Sequence, residues 1–335
     1  MKRGVVTVPC GVWKQPQRAW VWEQRAVIVN PKGGGVKLMG PRRRCPDARA
    51  QLPVSQDVHP PEEHHQPRAP GWLRDLAGAW IFYSVLPAWP WPKPRFQRIA
   101  RFAPVIGLVL GGLQAWLWWA TAGWLPLAAQ VALVMALALL LSGGLHHDGA
   151  LDTADGLAAG PRALPAMADS RVGAAAVQAA LVLALLRATG LLCLAAAAPL
   201  PLVWTAFWGR CAPLLAMAWF PYLRQRPGEG GTAGFHRRHW LGLVRELRPA
   251  LLAGGLLVAL SLGAAGPALF GSPLAPGVQL GLGLLPCLPA VLVPRWLGAR
   301  LGGHSGDSYG ACVEWTEALG LLLMGLLLRG LAAQG

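Results

Sequence analysis

Asp148, Asp152 and Asp155 stand four and three residues apart in the stretch HHDGALDTADGLAAG, residues 146–160. On an α-helix, with about 100° between successive residues, the three carboxylates fall within an arc of about 60°. Like charges so close lower helix stability, and a metal ion relieves the repulsion. Mg²⁺ suits such a site because it prefers carboxylate oxygens, keeps water, and completes its shell with substrate phosphates. The pattern predicts metal-dependent chemistry on a phosphorylated substrate, with Asp148, Asp152 and Asp155 both as catalytic groups and as metal ligands. A solvated acidic patch is the plainer alternative. It does not explain why three carboxylates gather at the end of an apolar run when the whole chain has only 15 acidic residues. The small residues among them, Gly149, Ala150, Ala154 and Gly156, are expected to let a bulky anion reach the backbone. His146 and His147 are candidates for a metal ligand, a general base, or an ordinary hydrogen bond at a membrane boundary.

Two more polar clusters belong to the same set. One is Asp169-Ser170-Arg171; the other is GGHSGDSYGA, residues 302–311, with Gly303, Gly306 and Asp307. A glycine-rich loop can present backbone N–H groups to phosphate oxygens, and Asp307 can add a metal ligand; a plain interhelical turn is the competing reading. Glu314 and Glu317 are expected to favour the N-terminus of the last helix electrostatically. Arg187 and Arg210 lie inside apolar runs, where an ionisable residue is a functional candidate by default unless it snorkels to an interface.

The elements that must position these residues are hydrophobic. Of the 335 residues, 54% are hydrophobic and only 13% charged, against about 25% charged in ordinary soluble domains. The apolar residues run together in spans expected near 102–121, 125–145, 172–188, 191–220, 250–268, 275–293 and 313–331. The fold class is therefore all-α: a polytopic membrane protein with about seven transmembrane helices and an interfacial helix near 72–86. Within 172–220 the expected joint lies near Gly190, with the second helix broken around Pro199 and Pro201. Residues 1–70, basic and rich in Pro and Gly, read as a disordered tail ahead of a membrane domain over 71–335; His59, His64 and His65 make a weak metal-site candidate there. Basic residues crowd the segments 92–101, 146–171, 221–249 and 294–312, while 122–124 and 269–274 have none. The positive-inside rule then puts the basic segments, and the aspartates with them, in the cytoplasm. The net charge of +15 comes without any nucleic-acid reading motif, so the expected partner is anionic lipid and not nucleic acid. Six scattered cysteines without CxxC spacing suggest neither a zinc site nor a disulfide framework.

From about residue 80 onward the chain resembles the cobalamin synthase family, the adenosylcobinamide-GDP ribazoletransferases. The likeness rests on FYSVLPAWPWP (82–92), FAPVIGLVLGG (102–112), GGLHHDGALDTADGLAAG (143–160), MADSRVGA (167–174) and GGHSGDSYGA (302–311). The family box H-x-D-G-x-x-D-x-x-D-G is filled at His146, Asp148, Gly149, Asp152, Asp155 and Gly156. The resemblance implies a bacterial inner-membrane enzyme with its site on the cytoplasmic side. In the implied reaction a hydroxyl of α-ribazole, or of its 5′-phosphate, attacks adenosylcobinamide-GDP and releases GMP. It also implies Mg²⁺ held by Asp148, Asp152 and Asp155, and phosphate gripped by Arg171 and Arg210. Asp155 and His146 are the candidates for deprotonating the hydroxyl. A homo-oligomer, or a complex with other cobalamin-pathway enzymes, stays open. Asp152-x-x-Asp155-Gly156 also resembles the opening of the CDP-alcohol phosphatidyltransferase motif, without its second half. Asp148-x-x-x-Asp152 echoes a prenyltransferase box, and a transporter is the alternative from a different class.

Overall fold

The computed structural model describes residues 69–223, 234–263 and 274–334. The basic tail, its histidines and the loop arginines Arg224 and Arg226 lie outside these residues. Among the described residues the regular structure is helical: α1 (Gly71–Tyr83), α2 (Ala103–Thr121), α3 (Leu127–Ser142), α4 (Leu145–Ala158), α5 (Ala163–Ala166), α6 (Ala174–Leu194), α7 (Pro199–Trp219), α8 (Gly234–Arg238), α9 (Leu243–Leu262), α10 (Pro276–Leu284), α11 (Cys287–Leu301) and α12 (Gly306–Ala332).

Among the described residues four helical stretches are long and apolar enough to cross a membrane: Ala100–Thr121, Ala174–Ala197, Pro276–Leu301 and Gly306–Ala332. The bent pair α3–α4 would make a fifth. This is a multi-pass membrane protein, and among the described residues length and composition give four or five spans where seven are expected. Two helices at expected spans, α7 and α9, are not among these stretches. α7 holds Pro199, Pro201, Pro213 and Arg210 and is buried along most of its length, so protein rather than lipid surrounds it. α9 opens with Arg245, Glu246 and Arg248, which leaves a shorter apolar part behind them.

The joint between α6 and α7 also differs from expectation. α6 runs straight through Gly190, and Pro199 opens α7 at its first turn, where a proline's missing N–H costs nothing. Gly190 serves a close helix crossing: a Cβ there would lie 2.5 Å from the Leu321 carbonyl carbon of α12, and one on Gly325 would lie 2.6 Å from the Gly190 oxygen. Small residues at such crossings let membrane helices approach, and packing replaces the hydrophobic effect that apolar lipid cannot supply.

α12 is the hub, packing on α4, α6, α7 and α11, while α7 also packs against α2. The basic segment before α2 forms specific pairs. Arg95 and Arg101 reach the buried Asp75 of α1 at 2.7 and 3.3 Å, and Arg98 reaches the buried Glu246 of α9 at 2.8 Å. These arginines tie α1 and α9 to α2, a role their topological reading did not foresee.

Candidate functional site

The aspartate helix is set across the bundle by two glycines. α3 ends at Gly143 and α4 begins after Gly144, with φ of 59° and 69°. Both angles lie in the left-handed region, which glycine enters without a Cβ clash. The two helices consequently meet at 91°. α4 therefore turns aside at the end of the apolar run and carries its acids along that end.

The three aspartates then part company. Asp148 is exposed, whereas Asp152 and Asp155 are half-buried. Asp155 faces the start of α6, where its Oδ2 accepts from the Gly173 N–H at 2.7 Å and its Oδ1 from the Ala176 N–H at 3.0 Å. Two otherwise unsatisfied donors of a helix N-terminus are thereby capped. Asp307, in the first turn of α12, lies against the other side of α4: a Cβ on Gly149 would fall 2.6 Å from its carbonyl oxygen. Asp307 is thus brought beside the segment that carries Asp148 and Asp152.

Among the described residues no three His, Cys, Asp or Glu side chains gather closely enough to hold a metal ion. The expected three-aspartate cage is not preformed, since Asp155 caps α6. The donors that are present suit Mg²⁺ in its usual mode, with one or two carboxylates from the protein and phosphate and water for the rest. Asp148 and Asp152 are the residues that could supply those carboxylates, with the backbone of Asp307 packed beside Gly149 between them.

The small residues of the box do something other than expected. Gly149 and Ala150 are buried where α4 crosses α12, and Gly156 is buried against Met167. They admit neighbouring helices, not an anion. The glycine-rich loop is likewise committed. Gly303 is buried against Pro221 and Leu223. The His304 N–H donates to the Pro221 oxygen at 2.9 Å, and the Leu223 N–H donates to the His304 oxygen at 2.8 Å. Ser305 and Ser308 close a capping box at the start of α12. His304 donates through Nε2 to the Pro294 oxygen and meets Ser308 Oγ through Nδ1, each at 3.0 Å; burial pushes its pKa down to about 4. Its ring stacks on Tyr309, which stacks in turn on Tyr222. Gly303 is thus packed into the protein, while Gly306 and Asp307 of the same loop are half-buried.

Asp169, Ser170 and Arg171 are exposed. The Arg171 guanidinium lies 2.6 Å from the Asp169 carboxylate and holds that carboxyl well below the usual carboxylate range. Arg171 is presented outward on a short loop, paired with Asp169.

Arg210 is not. It lies inside the bundle, 4% exposed, with Nη1 2.5 Å from Glu317 Oε1. Its expected grip on phosphate is replaced by an ion pair. Glu314 and Glu317 also depart from expectation, because α12 starts at Gly306 and leaves them about two to three turns inside it. Arg187 of α6 reaches Glu314 Oε2 at 3.1 Å and Glu317 Oε2 at 3.0 Å. His147 of α4 meets the same Glu314 oxygen through Nδ1 at 3.2 Å. The result is a buried network, His147–Glu314–Arg187–Glu317–Arg210, joining four helices. A small cavity beside it is lined by Gln114, Arg187, Thr205 and Glu317 among apolar residues, inside the bundle and away from the aspartates. The signal for this network was in the sequence: two lone arginines in apolar runs, and two glutamates three residues apart in another.

Comparison with known proteins identifies the family. The cobalamin-5-phosphate synthase family profile matches residues 75–325. Two proteins from Prochlorococcus marinus, strains MIT 9313 and MIT 9303, are 59% identical to this chain over 266 residues, covering 78% of it and 98% of each relative. A protein from Thermosynechococcus vestitus is 44% identical over 255 residues, covering 73% of this chain and 93% of its own length. All three carry the name adenosylcobinamide-GDP ribazoletransferase. No solved structure matches the chain significantly.

Proposed function

This chain belongs to the cobalamin-5-phosphate synthase family, and from that premise we propose that it joins adenosylcobinamide-GDP to α-ribazole, or to its 5′-phosphate. The observation that carries the reading is the 59% identity to relatives of that name over nearly their whole length. In the reaction a ribazole hydroxyl oxygen forms a new bond to the phosphorus on the cobinamide side. The phosphoanhydride bond breaks, GMP leaves with its electron pair, and the hydroxyl proton passes to solvent or to a nearby base.

The residues at the end of the bundle suit this transfer. Asp148 and Asp152 would hold Mg²⁺ with one or two carboxylate oxygens, and the ion would supply charge neutralisation to the diphosphate and the departing GMP. Asp307 sits beside them on α12 and can hold a coordinated water or a further ligand position. Arg171, exposed on the loop before α6, is placed to meet a phosphate by two parallel N–H bonds on exchanging its Asp169 contact. Ser170, next to it, adds a hydroxyl donor. The first turn of α12 at Gly306 offers the positive end of a helix to the same anion. Asp155 keeps α4 and α6 in register and stays out of the transfer itself.

The basic segments support a site on the cytoplasmic face of a bacterial plasma membrane. Purified membranes containing the chain should release GMP and form a cobalamin product when given adenosylcobinamide-GDP, α-ribazole and Mg²⁺. Absence of both products with either form of ribazole, from protein that is folded, would overturn the assignment.

A further inference from the structure

The network under the aspartate helix reaches the site through one side chain, His147. We propose that His147 is a positioning residue: it ties the start of α4 to Glu314 and so fixes the angle at which Asp148 and Asp152 face the substrate. The proposal rests on the transfer reading above, because it assigns the tie a purpose in that reaction.

The argument begins with how α4 is held. It follows a 91° turn made by two glycines, so it is not a straight continuation of α3. Its crossing with α12 is made of backbone and glycine: Gly149 against Asp307, and Gly310 against the backbone of His146. Around these close surfaces Ala150 and Leu157 of α4 pack with Tyr309 and Trp315 of α12, but apolar contacts of this kind are not directional. Near its end α4 is fixed by Asp155 on the α6 N-terminus. Near its start it is held by the stacking of His146 on Tyr83 of α1 and by a hydrogen bond from His147 to Glu314, the directional one of the two. Asp148 and Asp152 lie between the two ties.

Glu314 is a firm anchor. It is 5% exposed, and the oxygen that meets His147 also meets Arg187, which in turn is held by Glu317. A carboxylate accepts, so Nδ1 of His147 carries the hydrogen. A roll of α4 by about 10° moves a carboxylate about 6 Å from the helix axis by about 1 Å. Displacement of a reacting or ligating group by that distance can cost about a hundredfold in rate. An ordinary hydrogen bond at a membrane boundary would not have this consequence.

Asparagine distinguishes the readings, because its side-chain N–H₂ occupies the place of Nδ1–H while lacking the rest of the ring. The full chain, purified in detergent, is compared as wild type, His147→Ala and His147→Asn by two readouts. One is kcat and KM for adenosylcobinamide-GDP at saturating Mg²⁺; the other is hydrogen–deuterium exchange over residues 143–156. His147→Ala should lower kcat about ten- to a hundredfold, shift KM less than about threefold, and speed exchange at the start of α4. His147→Asn should return kcat to within about threefold of wild type and restore slow exchange. Wild-type kcat and exchange in His147→Ala would overturn the proposal, as would an Asn variant as impaired as the Ala variant. If His147→Ala does not fold, His147→Asn decides alone: it must keep wild-type exchange. A wild-type protein with no turnover on these substrates would sink the proposed function, while the exchange comparison would still decide the tie.

Discussion

Two acidic clusters stand about 10 Å apart along α12, one around Asp307 and one around Glu314 and Glu317, and the protein treats them in opposite ways. Inside the bundle each glutamate meets an arginine at 3.1 Å or less. Charge there is balanced within the chain, because a lone charge in a membrane interior is costly. At the end of the bundle Asp148 is exposed and makes no ion pair among the described residues, and the nearby Arg171 is taken by its own neighbour Asp169. The interior cluster holds helices together; the boundary cluster is the part that we propose receives a cation and an anionic substrate.

That contrast breaks most sharply at Asp152. Asp152→Asn should reduce turnover by at least about a hundredfold while the protein stays folded, as judged by gel filtration in detergent; full activity would show that the boundary acids are not the reacting site. Glu317→Ala should act through the fold. It leaves Arg210 buried without its carboxylate, which costs about 3–5 kcal/mol and should appear as a large drop in thermal stability. An unchanged melting temperature would mean the interior pairs are ornamental. Arg171→Ala should raise KM for adenosylcobinamide-GDP by about tenfold, equivalent to about 1.4 kcal/mol of lost binding, with kcat nearly unchanged. An unchanged KM would move the phosphate grip elsewhere. Asp155→Asn should do least, because an amide oxygen can still accept from Gly173 or Ala176. A loss of about 1 kcal/mol or less, with turnover within about tenfold of wild type, separates this cap from its two neighbours. Turnover as low as in Asp152→Asn would return Asp155 to the reacting set.

The helices were legible because apolar runs, glycines and prolines mark them plainly, and the aspartate box was legible because three acids at helical spacing are rare in so apolar a chain. What spacing does not show is direction in three dimensions. The 60° arc holds on a helix, yet the turn at Gly143 and Gly144 points Asp155 at α6. Gly190 looked like a hinge because a glycine between apolar runs is ambiguous; only the partner helix reveals it as a close crossing with Gly325. The glutamates looked like helix-terminal charges because the last helix was expected to start seven residues later than Gly306. Arg210 looked like a phosphate ligand for want of a visible carboxylate, and its partner is 107 residues away.

The most direct test of the account is metal dependence of the transfer itself. Wild-type membranes stripped with EDTA and resupplied with adenosylcobinamide-GDP and α-ribazole should release no GMP until Mg²⁺ is returned, and should then recover fully. GMP release at the original rate in the stripped membranes would contradict metal-dependent transfer at the α4 aspartates.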